Sequence, residues 1–582
     1  MPRVYIGLAT TFHDPALAII GPDGEVRFAE ATERFLQYKR APNCDPDPAE
    51  HVAALLDRYV EPDAEIVLAT SWGADFTEGL ARRAGRGLFA LEKLAKLNQG
   101  LNRSMVPQIA EQGLIASLHY QQQRAGLTGL VTVARKRGHA NISLRRFEHH
   151  LCHTAYAAWG SPFQDAACLV VDGMGEVGAA AIYALRAGKI EPIRRHMGRE
   201  SIGFYFGFVT DLCGFDQVKG EEWKVMGLAP YGARDPFLQA QLRRLYSVRE
   251  GDLVFSDEAT IRDVAASIMA RRPADLSQGW ADLARAGQDV FEEMMDVFLA
   301  EIAAKIPSEN LVLSGGCALN SSFNGKILAR TRFRHLHVPS APADDGNAIG
   351  AAWLAQAADT GARPALPGML SPYLGSSLRT DIFGPMAAWE PRLRRLPTEK
   401  IVAETARLLA AGKLVGWAQG RAEFGPRALG NRSILADPRP VGMKDAINAK
   451  VKFRENFRPF APSILAEYAA EWFEDYQDSP YMERTLRFRA AKRALVPAVV
   501  HEDGTGRLQT VHAGANPLYH ALISAFHNLT GVPILLNTSF NIMGKPILHS
   551  AEDAILMFHT TGLDAVVVED FLLVKDPADL PG

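Results

Sequence analysis

Two stretches of this 582-residue chain share one layout, and this repetition constrains the fold more than any other feature. The stretch 3–33, RVYIGLATTFHDPALAIIGPDGEVRFAEATE, predicts three short strands at 4–9, 16–20 and 26–30, separated by a polar turn and a GPDGE turn. The stretch 165–195, DAACLVVDGMGEVGAAAIYALRAGKIEPIRR, gives an apolar strand, a turn with an acid and glycines, a second strand, an AGK turn and a third strand. The duplicated unit therefore predicts two related α/β lobes.

The duplication is typical of an actin-like fold, in which two lobes each offer a β-turn to the phosphates of a nucleotide. We predict that this first domain spans 1–360, with a helical insertion near 76–125, where strand signals are lacking. A stretch rich in Pro, Gly and Ser at 361–374 predicts a linker. Helix and strand signals over 375–582 predict a second α/β domain.

The composition disfavours several classes of protein. The formal net charge is −3, so nothing indicates nucleic acid as a partner. His13 and Asp14 interrupt the apolar N-terminal run, which disfavours a signal peptide, and no uncharged apolar run is long enough to span a membrane. The five cysteines are scattered without a CxxC pair, which disfavours a disulfide framework and a thiolate zinc site. We predict a cytoplasmic protein with neither a membrane nor a nucleic-acid partner.

The segment FEHHLCHTAYAAWG at 147–160 indicates a metal site. His149 and His153 are one helical turn apart, so on a helix they share a face and can ligate one ion. The zinc-peptidase pattern HExxH needs Glu directly after the first His, and that position holds His150. The alternative is that one or both histidines only satisfy hydrogen bonds beside an apolar face.

Acidic residues that could complete such a site follow strands or begin helices. Asp172 ends an apolar strand, and Asp344 or Asp345 begins a helix. Two histidines with one or two aspartates suit Fe²⁺, Mn²⁺ or Zn²⁺, and no thiolate is needed.

Two further groups indicate a phosphate-bearing ligand. Gly315 and Gly316 follow an apolar strand and precede a helix, so the backbone can approach an anion closely, although a plain tight turn is the alternative. Loops of the predicted second domain carry many cations, and arginine forks bind phosphate or carboxylate, although solvated surface charge is the alternative. These cations are Arg427, Arg432, Arg439, Lys450, Lys452, Arg454, Arg458 and Arg507.

His13 lies in the turn of the first unit, at the place that Asp172 takes in the second. A single histidine there is often structural. The duplication nevertheless directs it to the same cleft, where a general base would serve catalysis.

Together these motifs resemble the O-carbamoyltransferase family, which includes tobramycin carbamoyltransferase and the NodU-like proteins. The resemblance implies an actin-like, TsaD-like first domain and a YrdC-like second domain. The matching stretches run in family order through nearly the whole chain: FHDPALAI, HHLCHTAYAAW, VVDGMGE, KVMGLAPYG, LSGGCALN, APADDGNAIGAAW, EFGPRALGNRSILADPR, VKFRENFRPFAPS, DGTGRLQTV and PILLNTSFN.

The implied activity is an ATP-dependent O-carbamoyl transfer. Carbamoyl phosphate and ATP, with or without Mg²⁺, give carbamoyl adenylate, and the carbamoyl group passes to a hydroxyl of a small-molecule natural product. The identity of this alcohol and the oligomeric state, a homo-oligomer included, are open.

The resemblance also assigns roles to residues. Fe²⁺, the metal of the family, would be held by His149, His153, Asp172 and Asp344. The nucleotide in the first domain would meet Gly315, Gly316 and Asn320, with Lys224 and Gly227 close by. Carbamoyl phosphate and the adenylation site would be lined by Arg427, Lys452, Arg458, Arg507, Asn537 and Ser539. His13 would be the general base for the acceptor hydroxyl. Trp223 departs from the family, which usually has Gly there.

Two other functions are compatible with parts of this pattern. A tRNA threonylcarbamoyl-type enzyme shares the chemistry but needs a basic RNA surface, which the near-neutral charge does not indicate. A non-catalytic actin-like sensor would bind nucleotide and a partner, and would leave the cations of the second domain without a task.

Overall fold

The first lobe is built on a five-stranded mixed sheet. The computed structural model describes residues 2–76, 79, 120, 124–127, 129–176, 178–196, 201–249, 252–277, 279–366 and 368–581. The strand order is β3-β2-β1-β4-β5. Strand β2 pairs antiparallel with both β1 and β3, whereas β1, β4 and β5 run parallel. The strands are β1 (Arg3–Ala9), β2 (Ala16–Ile20), β3 (Val26–Ala31), β4 (Glu65–Ser71) and β5 (Ile142–Phe147).

The second lobe repeats this topology. Its sheet has the order β12-β11-β6-β7-β8. Strand β7 pairs antiparallel with β6 and β8, whereas β11 pairs parallel with β6 and β12. Strands β9 and β10 form a separate ribbon. The order and directions equal those of the first lobe, which confirms the predicted duplication and the actin-like fold. The strands are β6 (Ala166–Val171), β7 (Ala180–Arg186), β8 (Lys189–His196), β9 (Tyr246–Arg249), β10 (Asp252–Phe255), β11 (Asn310–Ser314) and β12 (His335–His337).

Two helices, His149–Trp159 and Asn347–Thr360, pack against each other between the two sheets. Glycines permit the close approach: a Cβ at Gly350 would lie 2.0 Å from the carbonyl oxygen of Cys152, and one at Gly7 would lie 1.7 Å from that of Ala348. The helices of the two lobes are Thr32–Leu36, Ala49–Tyr59, Leu130–Lys136, His149–Trp159, Ile202–Leu212, Glu222–Leu228, Pro236–Arg243, Glu258–Met269, Ala281–Lys305, Ser321–Asn324, Ile327–Arg330 and Asn347–Thr360.

The C-terminal domain is a nine-stranded mixed sheet with helices packed on it, which confirms the predicted α/β class. Its strand order is β14-β23-β22-β15-β17-β21-β18-β20-β19, and β13 pairs with β16 in a separate ribbon. The strands are β13 (Tyr373–Ser377), β14 (Leu393–Arg395), β15 (Val415–Ala418), β16 (Arg421–Glu423), β17 (Arg432–Ala436), β18 (Ala461–Leu465), β19 (Arg484–Arg487), β20 (Thr505–Val511), β21 (Ile534–Ser539), β22 (Ala565–Val568) and β23 (Phe571–Val574). The helices are Phe383–Ala387, Thr398–Ala410, Met443–Ile447, Ala469–Trp472, Ala490–Arg493, Pro517–Thr530 and Ala551–Thr560.

The C-terminal domain contacts both lobes directly. Arg34 of the first lobe donates a hydrogen bond to the carbonyl of Gly425 at 2.9 Å. Asn324 of the second lobe donates to the carbonyl of Glu483 at 2.9 Å. The domain boundaries stay predictions, and the predicted insertion near 76–125 lies mainly outside the described residues. Among the helices that the structure describes, none combines the length and apolarity needed to cross a membrane.

Candidate active site and metal centre

Four side chains converge where the two lobes meet. The Nε2 atoms of His149 and His153 lie 3.2 Å apart. An oxygen of Asp172 lies 3.1 Å from the first and 3.5 Å from the second, and an oxygen of Asp344 lies 3.4 Å from each. All four ligand atoms lie within 4.8 Å of one another. This spacing suits a single ion with ligand bonds of about 2.0–2.2 Å.

Local structure sets the four side chains. Helix His149–Trp159 is capped by the Glu148 carboxylate, and its one-turn spacing places both histidines on one face. Asp172 directly follows β6, and its second oxygen accepts the N–H of Gly316 at 3.0 Å. Asp344 begins the turn before helix Asn347–Thr360.

The charges within the cluster compensate one another. Burial lowers the pKa of His149, but the two carboxylates outweigh it and raise that pKa to about 10. The same balance raises the pKa of His153 above its ordinary value. Burial raises the pKa of Asp172, but the two histidines outweigh it and hold that pKa well below its ordinary value; the pKa of Asp344 is also lowered.

Two imidazoles and two carboxylates fit a borderline divalent ion such as Fe²⁺, Mn²⁺ or Zn²⁺. The structure brings Asp344 to the histidines, whereas an oxygen of Asp345 accepts the N–H of Gly346 at 3.1 Å. The metal itself stays a prediction.

A second group of possible metal ligands consists of His196, Asp252 and Glu301. His196 lies on β8, an edge strand of its sheet. Nδ1 of His196 faces Asp252 at 3.4 Å, whereas Nε2 faces Glu301 at 3.0 Å, so the imidazole lies between the carboxylates. Arg194 pairs with both acids. This geometry fits an ion-pair network better than a metal site.

His13 lies in the turn between β1 and β2. Its Nδ1 is 2.9 Å from Asp14, and Arg40 donates to the same carboxylate oxygen at 3.2 Å. Burial lowers the pKa of His13, but the hydrogen bond and charge of Asp14 outweigh it, with help from Asp344, so that pKa is raised above its ordinary value. Because Asp14 engages Nδ1, Nε2 is the nitrogen available for proton exchange. Asp14 stands in the FHDPALAI stretch but was not among the predicted site residues.

The predicted nucleotide contacts of the first domain have structural partners. Gly315 has a φ of 88°, and a Cβ there would lie 2.3 Å from the last carbonyl oxygen of β6. Gly316 donates to Asp172, and Asn320 exchanges hydrogen bonds with Gln288. Packing therefore accounts for Gly315, and a role of the three residues in nucleotide binding stays a prediction.

Lys224 and Arg458 meet where the two domains join. Nζ of Lys224, on helix Glu222–Leu228, lies 2.6 Å from Glu221 beside the same helix and 3.0 Å from Glu455 of the C-terminal domain. The guanidinium of Arg458 lies 4.1 Å from the ring centre of Trp223 and pairs with Glu455 at 2.6 Å. The departure from the family at Trp223 thus provides a platform for Arg458. Glu455 was missed from the sequence because its contact with Lys224 joins residues that are distant along the chain.

The guanidinium groups of Arg427 and Arg507 have no hydrogen bond or ion pair with any residue that the structure describes. Burial lowers the pKa of Arg427 to about 10. Burial and the charges of Arg427 and Arg454 hold the pKa of Arg507 well below its ordinary value. Burial and neighbouring Arg458 lower the pKa of Arg454 to about 9. Cations that repel one another without an acid suit a multiply charged anion.

Arg507 also lines a cleft between the domains. The cleft holds about 580 Å³ of empty space, part of it open to solvent. Its walls combine apolar, hydroxyl and cationic groups from both domains, which suits a ligand with an apolar part and a charged part. They include Met226, Gly227, Ser321, Lys444, Phe457 and Arg507.

Lys452, Ser539 and Asn537 hold the adjoining loops together. The buried ammonium of Lys452 donates to carbonyl and side-chain oxygens of Ser539 and Asn541. The Asn537 amide donates to the carbonyl of Ala428 at 3.1 Å, next to Arg427. Direct ligand contact by these three residues stays a prediction.

Two other candidate cations are used inside the fold. Arg432 donates to four backbone carbonyls, and Arg439 forks onto Asp437. Neither is free to bind a ligand without losing these partners, which separates them from Arg427 and Arg507.

Comparison with known proteins places this chain in a family. Two family models match: Carbamoyltransferase N-terminus over residues 4–353 and Carbamoyltransferase C-terminus over residues 406–575. Nodulation protein NolNO of Sinorhizobium fredii is 38% identical over 439 residues, covering 74% of this chain and 64% of that protein. This chain thus spans less than two thirds of NolNO. Nodulation protein NolO of Bradyrhizobium diazoefficiens is 40% identical over 449 residues, covering 74% of this chain and 79% of that protein.

Among solved structures, full-length HypF in the phosphate- and nucleotide-bound form aligns over 61% of this chain and 55% of its own, at 13% identity. The TM-score of 0.28 is too low to carry an argument. The sequence matches carry one, because the N-terminal model alone spans more than half of the chain. The chain belongs to the carbamoyltransferase family.

Proposed function

We propose that this protein makes carbamoyl adenylate from carbamoyl phosphate and ATP in its C-terminal domain. It then transfers the carbamoyl group, in the first domain, to a hydroxyl of a small-molecule natural product. The observation that carries the proposal is the pair Arg427 and Arg507: both side chains are half-buried, neither has an acid partner among the described residues, and Arg507 lines the interdomain cleft. Two neighbouring guanidinium groups without an acid gain from a ligand that brings negative charge to them.

The C-terminal domain would perform the first step. Water cleaves carbamoyl phosphate into carbamate and inorganic phosphate. An oxygen of carbamate then attacks the α-phosphorus of ATP, and pyrophosphate leaves. Negative charge develops on the phosphate oxygens, which Arg427, Arg454 and Arg507 can stabilise. Adenylation gives the carbamoyl carbon a good leaving group, namely AMP.

The first domain would perform the transfer. The acceptor oxygen attacks the carbamoyl carbon, AMP leaves, and the hydroxyl proton passes to Nε2 of His13. Asp14, at 2.9 Å from Nδ1, orients the imidazole for this task. A divalent metal held by His149, His153, Asp172 and Asp344 would supply Lewis-acid stabilisation of phosphate or carbonyl charge.

Helix Glu222–Leu228 connects the two proposed sites. At its start, the charge of Glu222 interacts with those of His13, Asp14 and Arg40. Two residues further along, Lys224 contacts Glu455 of the C-terminal domain. An intermediate that hydrolyses readily is best passed between sites that are joined in this way, because enclosure excludes water.

The test is direct. The protein is incubated with ATP, carbamoyl phosphate and a library of alcohols, and acceptors are screened by mass spectrometry for a carbamoyl group. Omitting either ATP or carbamoyl phosphate should abolish the product, and Arg507→Ala should stop pyrophosphate release. Carbamoyl transfer that proceeds without ATP would contradict the adenylate route. Binding of tRNA with transfer to adenosine would favour the threonylcarbamoyl-type alternative.

A further inference from the structure

Trp72, which does not belong to the metal cluster, fixes the plane of the His149 imidazole. The two rings stack, with centres 4.2 Å apart and planes inclined by 23°. Trp72 has a φ of 84°, a backbone region that bulky residues rarely adopt, and its indole N–H donates to the carbonyl of Thr10 at 2.8 Å. Such strain persists only where surrounding contacts enforce it. The stack determines the ring plane but not which nitrogen carries the proton.

Asn347 faces the other nitrogen of the same ring. Its carboxamide is fully buried, its Nδ2 lies 3.4 Å from Nδ1 of His149, and its Oδ1 has no hydrogen-bond partner among the described residues. The two ends of a carboxamide are nearly equal in size, and a half-turn about the last side-chain bond exchanges them. After that half-turn Oδ1 points at Nδ1 and can accept its hydrogen.

We propose that Asn347 is a positioning residue that sets the tautomer of His149. By accepting Nδ1–H, its carbonyl oxygen leaves the lone pair on Nε2, the atom that faces Asp172 and Asp344. His153 has no such partner, because its Nδ1 is buried without a hydrogen bond among the described residues. The inference rests on the metal site of the proposed function, and it assigns the fixed ligand to His149 and the adjustable one to His153.

Metal binding by the full-length protein tests this proposal. The metal-free protein is titrated with Co²⁺ and Zn²⁺, Kd is measured by competition with a chromophoric chelator, and the visible spectrum of bound Co²⁺ reports coordination number. Asn347→Ala removes the acceptor and should raise Kd by about 10–100-fold, the usual effect of losing such an outer partner. Asn347→Asp keeps an acceptor in place and should bind as tightly as the parent or more tightly.

Asn324 offers a matched control. It is equally buried, and its Oδ1 also lacks a partner among the described residues, but its amide holds the carbonyls of Ala318 and Glu483. Asn324→Ala should lower the unfolding temperature and leave Kd unchanged. A folded Asn347→Ala protein with the parental Kd, or an Asn347→Asp protein as weak as Asn347→Ala, would overturn the proposal.

Two further measurements keep the outcome decisive. If Asn347→Ala does not fold, Asn347→Ser is compared with Asn347→Asp, since serine is too short to place its oxygen at Nδ1 and should bind metal weakly. A parent protein that takes up no Co²⁺ overturns the metal site and this inference together. A parent that binds Co²⁺ in the expected way but transfers no carbamoyl group overturns the proposed reaction alone.

Discussion

The histidine–aspartate cluster of the first domain and the arginines of the C-terminal domain treat buried charge in opposite ways. In the cluster, each imidazole lies within 3.5 Å of two carboxylate oxygens. Neither Arg427 nor Arg507 has an acid partner among the described residues, and burial is the main cause that lowers the pKa of each. The first arrangement has matched donors ready for one cation, whereas the second has cations ready for an anion. Under the proposed function, the difference places the metal-binding cluster and the phosphate-binding arginines in separate domains.

The cost of the two arrangements also differs. In the compensated cluster each ion has a partner, so removing one member leaves a buried charge uncompensated. Uncompensated arginines weaken the free protein, and a phosphate ligand removes that penalty by returning negative charge. A bound phosphate ligand should therefore stabilise the folded protein in two ways: through its own contacts and by neutralising the arginines.

The largest effect is expected from breaking the cluster. A His149→Ala/His153→Ala protein should lose stoichiometric divalent metal and lose transfer by about 10⁴-fold or more, since such a metal supplies several kcal/mol of charge stabilisation. Pyrophosphate release at the arginines should continue. Metal analysis and separate assays of the two steps measure this split.

His150 on the same helix is the control for that double variant. It is buried, burial lowers its pKa to about 4, and both ring nitrogens lack hydrogen bonds among the described residues. His150→Ala should keep the metal and most of the transfer rate. Normal transfer by a metal-free double variant would show that transfer does not depend on a metal at this cluster.

The next effect separates chemistry from metal binding in the first domain. His13→Asn should keep the metal and the adenylate but lose single-turnover transfer by about 10²–10⁴-fold, the usual value of general acid–base help. The base must be neutral to accept a proton, and its pKa is raised. Transfer should therefore increase with pH, with a midpoint above the ordinary value of about 6.5.

Asp14→Asn sharpens this test. Removing the carboxylate removes a cause of the raised pKa of His13, so the midpoint of the transfer profile should move to lower pH. A structural role of His13 predicts a different result: a less stable His13→Asn protein that transfers at nearly the parental rate, with an unchanged profile in Asp14→Asn.

The parts of the fold that the sequence predicted depend on local signals. The duplicated strands and the histidine pair follow from apolar runs, turn residues and helical spacing, all of which act over a few residues. Asp344 and Asp345 could not be separated in this way, because the turn that aims their side chains depends on packing. Trp72 gave no local signal, because its role comes from a stack on a helix of distant sequence.

Which arginines of the C-terminal domain find partners within the fold was beyond sequence reasoning for a similar reason. Arg427, Arg432 and Arg439 look alike in the sequence, since each lies in a loop with glycine or proline nearby. The fold pairs Arg439 with Asp437 and surrounds Arg432 with carbonyls, but leaves Arg427 unpaired. Only the tertiary structure decides which of such cations remains for a ligand.

Arg507→Ala tests the role of the arginines in the C-terminal domain. Loss of one preorganised cation should lower adenylate formation by about 10²–10³-fold while metal content stays parental. Pyrophosphate should raise the unfolding temperature of the parent but raise it less in Arg507→Ala. Arg439→Ala, which removes an arginine already paired with Asp437, is the control and should keep adenylation. Equal responses of both variants would mean that compensation by an acid does not distinguish the two arginines.

The smallest effect concerns the join between the two sites. Lys224→Met should leave metal content and adenylate formation intact, but lower the fraction of adenylate that reaches the acceptor by about tenfold or less, as expected for loss of one partly buried charge pair. The ratio of carbamoylated acceptor to pyrophosphate measures this fraction. Lys219→Met, which removes an exposed lysine paired with Asp216, should change nothing.

Glu455→Gln decides what Lys224 does. If Lys224 serves mainly to join the domains, removing its partner should lower the transferred fraction as Lys224→Met does, because either change breaks the same 3.0 Å contact. If Lys224 instead binds the nucleotide, Glu455→Gln leaves Glu221 as the only acid among the described residues that competes with phosphate for the ammonium, so nucleotide affinity should rise with Glu455→Gln and fall with Lys224→Met. Opposite shifts in affinity would assign Lys224 to the anion-binding side of the comparison. Equal losses of transfer, with affinity unchanged, would assign it to the link between a cation site and an anion site.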